Sequence, residues 1–305
     1  MPDTRSTDTR PFVDAHVHLW DLAHLRYAWL TPPFSDDGPN GSVEPIAKTY
    51  LLDDYLADAA GWDVRGIVHI DAGAHAGDAL AETDWLQGIA DERGMPNAIV
   101  AFAALDDPDV DTLLAAHAAR ANVRGIRHIV NWHADANRTY TPRDVTQDAA
   151  WAQGFAALAK HGLSFDLQAY AGQFVGLAPL IARHPETPVI INHMGMMVPG
   201  EEAEWRTGMA ALAALPNVLV KLSGIGFSDR RWTAALARQQ IRTAIDLFGT
   251  DRAMFASDFP TDKLFGSFAQ HLDAYAEIVA DFTREEQHAL FAANANRIYR
   301  LGLTL

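Results

Sequence analysis

Residues 163–223 read LSFDLQAYAGQFVGLAPLIARHPETPVIINHMGMMVPGEEAEWRTGMAALAALPNVLVKLS, a stretch in which two patterns take turns. The apolar, β-branched runs 163–169, 188–193 and 218–223 predict strands, and the Ala- and Leu-rich segments 174–183 and 203–215 between them carry helical spacing. A strand, a helix and another strand in such short order imply parallel strands joined by right-handed crossovers. The same unit recurs in both directions. Upstream runs 12–18, 64–70, 98–104 and 124–130 and the downstream run 253–258 bring the strands to eight. Helical segments near 51–60, 78–93, 110–121, 148–161 and 232–248 alternate with them, and two more follow the last strand. Eight such units close most simply into a single (β/α)8 TIM barrel in the α/β class, with residues 1–305 as one domain. The alternative, an open doubly wound sheet, lacks the G-x-G-x-x-G that would follow a strand.

Composition narrows the function classes. Lys plus Arg number 24 and Asp plus Glu 39, so 24 − 39 leaves a net charge of −15, which repels nucleic acid and anionic membranes. The chain has no cysteine, which excludes disulfides, thiolate catalysis and thiolate-bound metal. Residues 1–11, MPDTRSTDTRP, are polar and are expected to form a flexible N-terminus without an export signal. No run approaches the ~20 apolar residues of a membrane helix. A cytoplasmic protein is expected, with a homodimer as the default assembly. The segment 19–50 contains TPPFSDDGPNGSVEP, whose Pro and Gly forbid regular structure. In a barrel it is the first βα loop, at the catalytic face, and Trp20, Tyr27, Trp29 and Phe34 suit a pocket roof.

Chemistry gathers at the predicted strand ends. DAHVH places His16 and His18 two apart and therefore on one face, an arrangement suited to a metal ion or to polarising a carbonyl. Strand 6 ends PVIINH, with Val189, Ile191 and His193 on a common face, and strand 8 ends in FASD, with Met254, Ala256 and Asp258 on another. Barrel enzymes build their sites from such ends. Lys221, Asp166, Gln168 and Arg127 fall on inward faces, and Asp14 lies below the two histidines. Lys221 either pairs with Asp14 or Asp166 or binds substrate. Arg127, with its planar fork, is the candidate for a substrate carboxylate or hydroxyl, assisted by Lys221, Gln168 or Tyr170. His69 and Asp71 end strand 2 on one face, with His69 either a pocket or a core residue.

Taken in order, DAHVHLWD, GIRHIV, INHMG, VKLSG and FASDFP resemble the amidohydrolase superfamily across nearly the whole chain. The resemblance is closest to the amidohydrolase 2 branch, which includes sugar lactonases and 2-pyrone-4,6-dicarboxylate lactonases. It implies a hydrolase in which water attacks a carbonyl, with Asp258 as proton acceptor. His16, His18 and His193 would bind a metal or polarise the carbonyl directly. The sequence departs from the superfamily's two-metal pattern: RGIRHIVN stands where a bridging Lys or Glu would end strand 4, and LSFDLQAY where a His would end strand 5. His16, His18, His193 and Asp258 are therefore expected to hold at most one divalent ion, zinc first, or to work without metal. The expected reaction is opening of a small lactone, with an anionic or polyhydroxylated small molecule as substrate. A mononuclear decarboxylase, a cyclic-amide hydrolase and a catalytically silent binding barrel are the alternatives.

Overall fold

The computed structural model describes residues 10–305. Its eight strands are β1 (Pro11–Val17), β2 (Asp63–Ile70), β3 (Ala98–Phe102), β4 (Val123–Ile129), β5 (Ser164–Gln168), β6 (Val189–Ile191), β7 (Val218–Leu222) and β8 (Ala253–Phe255). They form one sheet in sequence order, every neighbour parallel. The last edge meets the first just beyond β8, where Val17 bridges Phe259. There Asp258 N–H donates to His16 O at 2.9 Å and His18 N–H to Phe259 O at 2.8 Å. The expected (β/α)8 barrel is thus formed, nearly closed, with its seam at the C-terminal ends of the strands. Residues 1–9 of the expected N-terminal tail lie outside the described residues, and β1 begins at Pro11.

The apolar residues divide into two layers. Val13, Ala15, Val68, Ile70, Ala98, Val100, Ile190, Leu219, Met254 and Ala256 fill the barrel, and Ala292, Ala295 and Tyr299 of the C-terminal helices plug its floor. The larger cluster, including Val189, Ile191, Val218, Val220 and Leu222, lies between the sheet and the helices. Strand alternation therefore holds for β7 as expected. Burying both faces is what makes the strands read as near-continuous apolar runs.

Three expected face assignments are corrected by local backbone. A register shift in β1 between Asp14 and Val17 interrupts the alternation. Asp14 consequently leaves the barrel axis and accepts from Tyr55 Oη at 2.9 Å and Ser257 N–H at 2.9 Å. In β6, Val189 and Ile191 face the helices while His193 turns to the mouth, because the strand stops at Ile191 and His193 takes a left-handed conformation, φ 52°. His69 and Asp71 part company where β2 ends at Ile70. His69 Nε2 meets Leu19 O at 3.2 Å, whereas Asp71 turns to Arg127.

The segment 19–50 is anchored at its base by an antiparallel bridge between Trp20 and Tyr50. Its only regular pieces are short 3-10 turns at Ala28–Leu30 and Glu44–Ile46. Arg230, from the loop after β7, holds the far end through Asp36 Oδ1 at 3.1 Å, Asp36 O at 2.9 Å and Gly38 O. Among the described residues no helix is long and apolar enough to cross a membrane.

Candidate active site

Four side chains converge at the mouth. His16 and His18 rise from β1, His193 from the turn after β6, and Asp258 from the turn after β8, where its φ is 57°. Asp258 Oδ1 lies 3.2 Å from His18 Nε2, 3.4 Å from His16 Nε2 and 4.0 Å from His193 Nε2. All four are buried. Gly224 permits this packing: a Cβ there would come within 2.7 Å of His193 Cβ.

Hydrogen bonds fix the protons. His18 Nδ1 donates to Ile70 O at 2.8 Å, so its Nε2 presents a lone pair. Behind His16, Lys221 Nζ lies 3.4 Å from Nδ1. An ammonium only donates, which leaves hydrogen on His16 Nε2, directed at His18 Nε2 3.1 Å away. Burial pushes His18 down to about 3 and His193 to about 4, the latter against the opposing charge of Asp258. Burial, then Lys221, holds His16 well below the ordinary imidazole value. All three rings are therefore neutral near pH 7. Burial raises Asp258 above the usual carboxylate value, His193 and Arg127 opposing. Among the described residues no N–H or hydroxyl group donates to either oxygen of Asp258; the carboxyl of Asp262 hydrogen-bonds to it. Just behind it is Asp262, also fully buried and likewise raised by burial and by Asp258.

The ligand atoms of His16, His18 and Asp258 all lie within 4.8 Å of one another. Asp258 offers lone pairs as it stands; His16 and His18 would both offer Nε2 only if the contact between their two Nε2 atoms were given up and the His16 hydrogen moved to Nδ1, away from Lys221. This donor set fits one divalent cation. His193, expected among the ligands, has its Nδ1 on Ser223 Oγ at 3.0 Å and its Nε2 farther out.

The cluster opens into a cavity of about 450 Å³ whose walls include His18, Arg127, Gln168, His193 and Asp258. Segment 19–50 contributes Trp29, Asp37, Asn40 and Val43 to the same cavity wall. Other expected residues stand elsewhere. Trp20 is buried beneath the roof, its Nε1 donating to Lys48 O at 2.7 Å and its ring stacked 6.4 Å from His18. Lys221 is enclosed in the barrel, bonded to Asp166 Oδ2 at 2.5 Å, which settles its pairing in favour of Asp166 over Asp14. The hydroxyl of Tyr170 donates to Arg138 O at 2.8 Å, outside the cavity wall. Arg127 does reach the cavity, but its Nε binds Asp71 Oδ2 at 3.2 Å and its Nη1 binds Gln168 Oε1 at 2.7 Å. Sequence reading missed Asn137, Thr139, Tyr140 and Thr261, which also line the cavity. They come from loops without periodicity; the clustering of polar residues after β4 was the available signal.

A barrel with histidines from its first and sixth strands and an aspartate from its eighth defines a class of hydrolase. The chain matches the amidohydrolase family over residues 13–301 and belongs to that family. It is 42% identical over 292 residues to an uncharacterized protein of Sinorhizobium fredii, covering 95% of this chain and 98% of that one. It is 27% identical over 311 residues to an L-fucono-1,5-lactonase of Burkholderia multivorans, covering 95% and 96%. Among solved structures, an amidohydrolase from Burkholderia multivorans with bound zinc superposes with a TM-score of 0.78 at 25% identity, covering 95% of this chain and 99% of that one.

Proposed function

We propose that this protein is a lactonase that opens a small, polyhydroxylated ring ester. The observation that carries the reading is Asp258: a buried carboxylate to which no N–H or hydroxyl group donates, backed by the carboxyl of Asp262 and facing a cavity beside three neutral imidazoles. Such a group is poised to take a proton from water. The water oxygen bonds to the lactone carbonyl carbon as its proton passes to Asp258. His193, on the cavity wall, is the donor within reach of the carbonyl oxygen as it gains charge, and His16 Nε2–H holds His18 beside it. When the ring C–O bond breaks, Asp258 returns the proton to the departing alkoxide. If His16, His18 and Asp258 hold a divalent ion, that ion supplies Lewis-acid polarisation of the same carbonyl.

The walls favour hydroxyls over multiple carboxylates. Arg127 is already engaged by Asp71 and Gln168, while Asp37, Asn40, Asn137, Thr139 and Tyr140 are acidic or neutral hydrogen-bonding groups. The 27% identical L-fucono-1,5-lactonases are consistent with this class.

The test is a rate assay on a panel of aldonolactones, carboxylated pyrones and small cyclic amides, with elemental analysis of protein purified without chelator. Aldonolactones are expected to be turned over fastest, with no more than one ion per chain. Turnover confined to pyrones or amides would overturn the substrate class, and two tightly held ions would overturn the single-ion site.

A further inference from the structure

Six of the seven tyrosines in this chain have a hydroxyl that is tied to an acceptor or sealed in the core. Tyr27 donates to Glu82, Tyr50 to Asp58, Tyr55 to Asp14, Tyr170 to Arg138 O and Tyr299 to Asp166. Tyr275 is fully buried. Tyr140 alone opens onto the cavity shared by Asp258, His193 and Arg127, with 42% of its surface accessible. Its hydroxyl has no hydrogen-bond partner among the described residues.

The loop that carries it is pinned. Tyr140 N–H donates to Asn131 O at 2.9 Å, Thr139 Oγ1 to Thr141 O at 2.9 Å and Thr141 Oγ1 to Arg143 O at 2.8 Å. Three consecutive residues thus each hydrogen-bond within the loop and present the ring to the cavity in a fixed pose. A donor held in place before substrate arrives needs little reorganisation when charge develops.

We infer that Tyr140 donates its hydroxyl hydrogen to the ring oxygen of the bound lactone and to the alkoxide formed there as the ring opens. The inference rests on the lactonase reading. In that reaction Asp258 returns its proton to the leaving oxygen, so that oxygen sits beside Asp258, on the cavity wall Tyr140 shares. Tyr140 keeps its own proton throughout; the proton gained by the alkoxide comes from Asp258. Desolvation by the surrounding cavity walls, reinforced by the negative charge of Asp258, raises the phenol to about 12 even though part of the ring is exposed, which keeps it a donor at working pH.

The experiment compares wild type, Tyr140→Phe and Tyr170→Phe in kinetics on aldonolactones, in thermal melting and in calorimetric binding of D-galactonate, an open-chain sugar acid. Tyr140→Phe is expected to lower kcat by ~10–100-fold, the usual value of a donor to a developing charge, with KM within about threefold and unchanged melting. Tyr170→Phe is expected to keep kcat and to lower the melting temperature. Unchanged kcat in Tyr140→Phe overturns the assignment while leaving the lactonase reading intact. If wild type turns over no lactone, that reading fails and binding decides. Galactonate held at least threefold more weakly by Tyr140→Phe would keep Tyr140 as a donor to a ligand oxygen; equal binding, or none, would remove it.

Discussion

The barrel contains two buried polar clusters, one at its floor and one at its mouth, and they obey opposite rules. At the floor, Lys221 Nζ bonds Asp166 Oδ2 at 2.5 Å, and Tyr299 Oη donates to Asp166 Oδ1 and Oδ2 at 3.1 and 3.0 Å. Every charge there has its counterpart. At the mouth, Asp258 has no Lys or Arg partner, only the carboxyl of Asp262 behind it, and the imidazoles beside it are neutral. An unpaired buried carboxylate is costly, so a fold keeps one where a ligand will complete it. The contrast separates groups that hold the barrel from groups proposed to act on what enters it.

The widest test of that contrast is Asp258→Asn. Asn keeps the size and cannot accept the proton, so kcat on the lactone substrate should fall by ~10²–10⁴. Because the carboxylate is already penalised by burial, the variant should melt at or above the wild-type temperature. Near-native turnover would place the base elsewhere. The complementary change at the floor is Lys221→Met, which strands Asp166 in the core. Loss of about 3–5 kcal/mol in denaturant unfolding is expected, with Lys221→Met/Asp166→Leu recovering much of it. A stable Lys221→Met enzyme would merge the two clusters into one functional unit.

A finer test uses His69, which lies between the clusters' roles: buried, beside His18 and outside the cavity wall. Burial drops it to about 3, as it does His18, while His193 falls to about 4. With folded values below the unfolded 6.5, the unfolded chain takes up protons first as pH falls. The stability these rings contribute is therefore full above pH 6.5 and is lost toward pH 3–4. Between pH 7 and 5 each should remove about 2 kcal/mol. His69→Gln should flatten the pH dependence of unfolding by that amount without moving the acid limb of kcat/KM. An unchanged slope would mean that His69 titrates freely in the folded state.

The strands were legible because each is buried on both faces, which writes a continuous apolar run into 188–193 or 218–223. The site residues were legible by position, since strand ends in a barrel point to one mouth. Their directions were less so. Alternation presumes that the strand continues, yet β6 and β8 are three residues each and end before His193 and Asp258. Tyr140 was not singled out for a related reason: adjacency to a strand end marked Tyr170, whereas the fold of loop 131–144 depends on internal hydrogen bonds that leave no periodic trace.

The left-handed residues at the mouth give the sequence a direction of drift. His193 and Asp258 adopt φ values of 52° and 57°, a conformation that disfavours residues with a Cβ by roughly 1–2 kcal/mol relative to glycine. Screening variants for heat resistance alone would therefore reward glycine or asparagine at these positions while erasing the chemistry. Activity and robustness compete most directly at the two turns that end the shortest strands, and a campaign to toughen this enzyme should hold both residues fixed and look to the outer helices.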